Sequence, residues 1–207
     1  MRIGIEINHV LRDVNKQVLK FYKKAFDPAL DIDDIDSTVD NNVWNVAKFD
    51  SEKERLNFIY VDYPFELFGA ANASEKNLGG KFTVWLEDIE DMDDEEPIEI
   101  CMFSRKEEAL TIQSTYFFLS KFGCRSREVL MPLDETELYD KFDAIITYDR
   151  EFLKNGPENL KKVLITRGHP EEGDEDFDAS YERMTDLMED KEFFSKISNG
   201  NEEKREE

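Results

Sequence analysis

Residues 2–13 read Arg-Ile-Gly-Ile-Glu-Ile-Asn-His-Val-Leu-Arg-Asp. Residues 2–7 form a short run, alternating and then apolar, of the kind that builds a buried strand. Asp13 stands as an N-cap, and Val14, Val18, Phe21, Tyr22 and Ala25 follow at helical spacing until Pro28 bars continuation. The chain is therefore expected to open strand, turn, helix.

Working outward, the same alternation returns after residue 97. Ile98–Phe103 is a strand candidate ending at Ser104. Ala109, Ile112, Tyr116, Phe117, Leu119 and Phe122 then repeat at helical spacing, with Gly123 as the closing residue. Residues 128–131 form a short strand stopped by Pro132, and Asp134 caps a short helix reaching Lys141. Residues 142–147 make another strand, 150–154 a helical turn, and 163–166 a last strand. A final amphipathic helix carries Tyr181, Met184, Leu187, Met188, Phe193, Phe194 and Ile197. Strands alternating with helices predict an α/β fold, a parallel sheet covered on both faces. The core is expected over 1–26 and 97–198, a helical cap inserted over 27–90, and an acidic flexible tail over 199–207. The aromatics between Trp44 and Phe68 are expected to pack the cap rather than cage a ligand.

Composition narrows the function. The chain has 207 residues, 49 Asp+Glu against 27 Lys+Arg, and a formal net charge of -22. That balance opposes nucleic-acid binding, which needs a basic surface, and docking on anionic lipid. No run of about 18 apolar residues is present to span a bilayer. Residues 1–6 do not read as a signal peptide. Cys101 and Cys124 make neither a disulfide framework nor a zinc motif, so a reduced, intracellular (cytoplasmic) protein is expected. The Asp-rich stretch 31–42 is not a calcium loop: counted from Asp31, Asp36 and Asn42 stand where an EF-hand needs Gly and Glu. It is expected to be a solvated acidic loop or the start of a helix.

In open α/β sheets ligands bind beyond the carboxyl ends of the strands. Those ends carry Glu6, Asn8 and His9; Ser104, Arg105 and Lys106; and Tyr148, Asp149 and Arg150. This layout resembles the haloacid dehalogenase-like phosphohydrolases, a Rossmannoid superfamily, and among them the small deoxynucleotidase-like and phage-encoded members. Residues 3–13 resemble the family's opening motif, an apolar strand followed by D-x-D-G-[TV]-L. Ser104 resembles the second motif, a Ser or Thr that binds phosphate, and residues 144–149 the fourth, a strand ending in two acids. Residues 60–69 resemble a segment of some bacterial and phage-encoded members.

The resemblance implies an aspartyl nucleophile, a second Asp as general acid and base, and Mg²⁺. This chain departs from each. Glu6 stands at the nucleophile position with one methylene more, and a displacement of about 1 Å slows in-line attack on the order of a hundredfold. Asn8 replaces the acid-base and has no titratable proton. His9 replaces the usual Gly. Tyr148 takes the place of the first acid in the fourth motif and leaves Asp149, so Glu6 and Asp149 are the candidate ligands if Mg²⁺ is bound. Ser104 and Lys106 are the candidate phosphate binders, and Lys106 or Lys141 the candidates for the family's lysine.

The expectation is a catalytically degenerate haloacid dehalogenase-like protein, with no cofactor, kept as a structural or interaction subunit. Its partners would be proteins, in a symmetric homo- or hetero-oligomeric assembly. The resemblance to phage-encoded members adds a virion tail or connector as a setting. The alternatives are an active Mg²⁺-dependent phosphatase or nucleotidase using Glu6, and a binder of a phosphate ligand without hydrolysis.

Overall fold

The computed structural model describes residues 1–92, 97–105, 109–124 and 128–198. Six strands form one parallel sheet: β1 (Arg2–Glu6), β2 (Glu99–Phe103), β3 (Val129–Leu130), β4 (Ala144–Thr147), β5 (Lys161–Ile165) and β6 (Ala179–Tyr181), in the order β3-β2-β1-β4-β5-β6. β1 is central, pairing with β2 through Glu6↔Phe103 and with β4 through Ile5↔Ile146. The order reverses between β1 and β4, where such sheets open a crevice. The tail 199–207 and Lys106 lie outside the described residues.

Because strand side chains alternate in direction, each strand feeds two cores. Ile3, Ile5, Ile7, Met102, Ile146 and Val163 fill one. Cys101, Phe103, Ile145 and Leu164 fill the other, with Phe142 and Phe152. Phe142 lies so close to β1 that a Cβ on Gly4 would stand 2.6 Å from its ring carbons. Phe142 is itself buried and cannot swing away. Gly4→Ala is therefore expected to cost about 1–3 kcal/mol in a denaturant titration.

α1 (Val14–Ala25) begins as the sequence predicts, with the Asp13 carboxylate accepting from Lys16 N at 3.1 Å. The insertion then runs through α2 (Asp40–Val46), α3 (Glu52–Asn57), two π-helical turns at Phe58–Asp62 and Phe65–Gly69, and α4 (Leu78–Glu90). Its aromatics do pack as a core: Phe58 and Phe68 are buried with Val14, Val18 and Val43, and Trp44 and Tyr60 lean against them. Packing divides the expected 27–90 cap, however. Leu78, Phe82, Trp85 and Ile89 of α4 join the sheet's first core, because the helix lies against Phe122 and Phe194. Conversely, α1 serves as the floor of the cap.

Two other expectations are corrected. The acidic stretch 31–42 does start a helix, α2 at Asp40, but its loop part is not simply solvated. Asp36 Oδ2 lies 3.0 Å from His169 Nε2, Thr38 Oγ1 2.5 Å from the same nitrogen, and the Ser37 carbonyl accepts from Arg167 at 3.2 Å. These contacts tie the cap to the loop after β5. The C-terminal amphipathic segment is not one helix. Tyr181 lies in β6, a sixth strand, and α7 (Met184–Glu189) and α8 (Phe193–Ser198) are separated at Asp190. Asp190 Oδ2 accepts from Lys196 Nζ at 2.6 Å and from the Tyr181 hydroxyl at 2.6 Å. Those two bonds, Lys196 first, hold its carboxyl down at about 2. A depressed carboxyl stabilises above its unfolded value and loses that contribution as the pH falls through the folded one. Asp190→Asn is expected to cost about 1 kcal/mol at neutral pH. Melting curves of variant and wild type should converge as the pH falls from about 4 to 2.

α5 (Ala109–Phe122), α6 (Arg150–Asn155) and a 3₁₀ turn at Glu135–Asp140 complete the layers. Among the described residues no helix is long and apolar enough to cross a membrane.

Candidate functional site

Parallel pairing in register brings the ends of β1, β2 and β4 to one edge. Glu6 is the last residue of β1 and is only 2 % exposed. A carboxylate buried that deeply needs a partner, since an uncompensated buried charge is costly. The partner is Arg105, just beyond β2. Its Nε donates to Glu6 Oε1 at 3.0 Å and its Nη2 to Glu6 Oε2 at 3.2 Å, a bidentate fork. The same guanidinium lies 3.0 Å from Asp149 Oδ2 and 3.3 Å from Glu135 Oε2. Its far side rests on the Phe152 ring, with Cζ 4.3 Å from the centroid. Thr147, at the end of β4, donates its hydroxyl to Glu6 Oε2. Burial pushes the Glu6 carboxyl above its ordinary range against the pull of Arg105. Burial works against the Arg105 charge too, but Glu6 and Asp149 outweigh it and raise its pKa.

Asn8 is bonded at both ends of its amide. Its Nδ2 donates to Ser104 Oγ at 3.0 Å, and its Oδ1 accepts from Arg12 Nε at 3.0 Å. Arg12 is fully buried beneath it. The Arg12 guanidinium also donates to Thr115 Oγ1 at 2.9 Å and to the Phe68 carbonyl at 3.3 Å. It sits between the Phe68 and Phe118 rings at 5.0 and 5.3 Å. Arg12 thus joins the opening loop, the cap and α5.

His9 has φ 65, in the left-handed region that favours glycine, so the resemblance's Gly at this position has a backbone reason. Its ring packs on Tyr148 at 4.6 Å, and its Nδ1 is buried with no hydrogen-bond partner among the described residues. Burial, and then the nearby Arg167, hold the His9 pKa well below normal, so the ring is neutral. Tyr148 is also covered by the Arg167 guanidinium at 5.5 Å, and burial raises its phenol pKa. Between this edge and the cap remains a cavity of about 130 Å³, lined by Glu6, Asn8, His9, Arg105, Tyr148 and cap residues including Trp44 and Tyr60. Ordinary ligand pockets run to about 300–1,000 Å³.

The expected site residues Glu6, Asn8, Ser104, Tyr148 and Asp149 therefore do meet at one edge, and Lys106 lies outside the described residues. Lys141 does not join them: its carbonyl accepts from Arg2 Nη1 at 3.3 Å, at the opposite, amino end of β1. Arg150, beyond β4, turns outward to Asp174 at 2.7 Å. Sequence reasoning missed Arg105 as the partner of Glu6, and it missed Arg12, Glu135 and Thr147 altogether. One signal was present: a carboxylate closing an apolar central strand calls for a cation at a neighbouring strand end, and Arg105 is the one beside Ser104.

The residues present do not fit the Mg²⁺ that the resemblance implies. The Glu6 and Asp149 oxygens that would ligate it are turned onto a guanidinium.

No protein-family model and no curated protein matches this chain. Among solved structures it is similar to one described as a haloacid dehalogenase-like hydrolase, from Burkholderia xenovorans LB400. The two superpose with a TM-score of 0.53 over 93 % of this chain and 97 % of that one, at 13 % identity. The six-stranded parallel sheet, its strand order and this likeness together define the class: the chain has the haloacid dehalogenase-like α/β fold.

Proposed function

We propose that this chain is a haloacid dehalogenase-like protein without phosphoryl-transfer chemistry, acting as a structural or interaction subunit of a larger assembly. A phage particle's tail or connector is one such setting. The observation that carries the reading is the Arg105 fork on Glu6. Both carboxylate oxygens are engaged, one of them twice. Attack on phosphorus would need an oxygen freed from this network. Asn8 has no proton to give a leaving group, and its amide is already bonded at both ends.

The outer face of α5 supports the interaction role. Gln113, Tyr116, Phe117 and Ser120 are exposed at i, i+3, i+4 and i+7 and carry no charge, in a chain that is 37 % charged. Tyr116 is 51 % exposed and Phe117 47 %, and Phe117 packs on Phe65, itself 50 % exposed. Rings grouped in this way on a surface mark contact sites.

The test is turnover of an aryl phosphate and a nucleotide panel by purified protein with Mg²⁺, using Glu6→Gln as the control for contaminating enzyme. No turnover above the control is expected. Turnover that disappears in Glu6→Gln makes the protein an enzyme with a glutamate nucleophile. Saturable thermal stabilisation by a nucleotide without hydrolysis makes it a phosphate-ligand binder instead.

A further inference from the structure

We infer that Arg105 is the resident cation of this fold: its guanidinium fills the seat between Glu6 and Asp149, so the seat excludes divalent metal and the protein needs none there. Carboxylates from three separate segments converge on it. Glu6 comes from the end of β1, Asp149 from the turn after β4, and Glu135 from the 3₁₀ turn, at 3.0, 3.0 and 3.3 Å. In the resemblance two of these positions would ligate Mg²⁺. That ion takes oxygens at about 2.0–2.1 Å in octahedral array and keeps several waters. Here the Glu6 oxygens instead face the two parallel N–H groups of a planar fork.

A second observation points the same way. The Phe152 ring lies under the guanidinium at 4.3 Å. An aromatic face holds a weakly hydrated planar cation well and offers a hydrated metal no ligand atom. The Arg105–Glu6 half of the seat is also buried, with Arg105 at 6 % and Glu6 at 2 % exposure. The cation is thus supplied from the chain itself.

This inference shares the Arg105 fork with the functional reading above, but its test does not read activity. Wild type, Arg105→Ala and Arg105→Ala/Asp149→Asn are compared by thermal melting in EDTA and in Mg²⁺, and by Mn²⁺ binding followed by electron paramagnetic resonance. The wild-type melting temperature should be the same in EDTA and Mg²⁺. Arg105→Ala should melt lower, recover saturably with Mg²⁺ or Mn²⁺, and bind one Mn²⁺ more than the double variant. A chain of charge -22 holds Mn²⁺ loosely elsewhere, so the difference between those two variants is the signal. A saturable Mg²⁺ shift in the wild type that Asp149→Asn removes overturns the inference. So does a folded Arg105→Ala that takes up no extra Mn²⁺. If Arg105→Ala does not fold, Arg105→Gln decides: Mn²⁺ uptake above that of Arg105→Gln/Asp149→Asn upholds the inference, and a folded Arg105→Gln with no such uptake overturns it. Metal-free turnover by the wild type would sink the scaffold reading alone, and Mn²⁺ at the wild-type seat this inference alone.

Discussion

Arg12→Leu is expected to lower the unfolding free energy by about 3–5 kcal/mol, and the melting temperature by about 10 °C. Arg12 has no exposed surface, and the groups around it are arranged for a planar, multiply donating head. Removing the guanidinium leaves Asn8 Oδ1 and the Phe68 carbonyl without this donor. It also withdraws the cation from between Phe68 and Phe118. Leucine restores part of the packing and none of the hydrogen bonds, and an unsatisfied buried acceptor costs about 1–3 kcal/mol. Arg12→Lys should also destabilise, because one ammonium cannot reach Asn8, Thr115 and Phe68 together. Urea unfolding of both variants is the measurement. A loss below about 1 kcal/mol would mean that the loop, the cap and α5 are joined by other contacts.

Glu6→Ala is the second large effect, expected to cost about 3 kcal/mol. Burying Glu6 is itself unfavourable, as its raised carboxyl pKa records. The loss on truncation arises elsewhere. Arg105 is left in a site that is 6 % exposed with its bidentate partner gone, and the Thr147 hydroxyl loses its acceptor. Asp149 and Glu135 still face the guanidinium, which keeps the cost at the lower end for a broken buried pair. Here the sign matters more than the size. Catalytic groups are commonly held at the expense of stability, so removing one often raises the melting temperature. A lower melting temperature for Glu6→Ala marks a structural carboxylate, and a higher one marks a functional site.

How much of this was legible beforehand differs from element to element. The opening strand and α1 were readable because their signals are local: an apolar run, an Asp N-cap and helical spacing. β6 was not, because Ala179–Tyr181 is three residues long and, among the described residues, pairs on one side, with β5. The membership of α4 was hidden too. Its apolar residues predict that it buries a face, and nothing in them says whether that face meets the cap or the sheet. At the edge of the sheet, the departures at Glu6, Asn8 and Tyr148 were plain from residue type alone.

The sequence by itself determined the α/β alternation, the insertion after the first helix, and the loss of a titratable acid-base at position 8. Those properties depend on residue chemistry and short-range periodicity, which the linear order carries. Only the tertiary structure decided that Arg105 answers Glu6 from 99 positions away and that Arg12 answers Asn8 beneath it. Such pairings follow from which strands lie side by side, and a buried charge takes whichever counter-charge that geometry brings within about 3 Å.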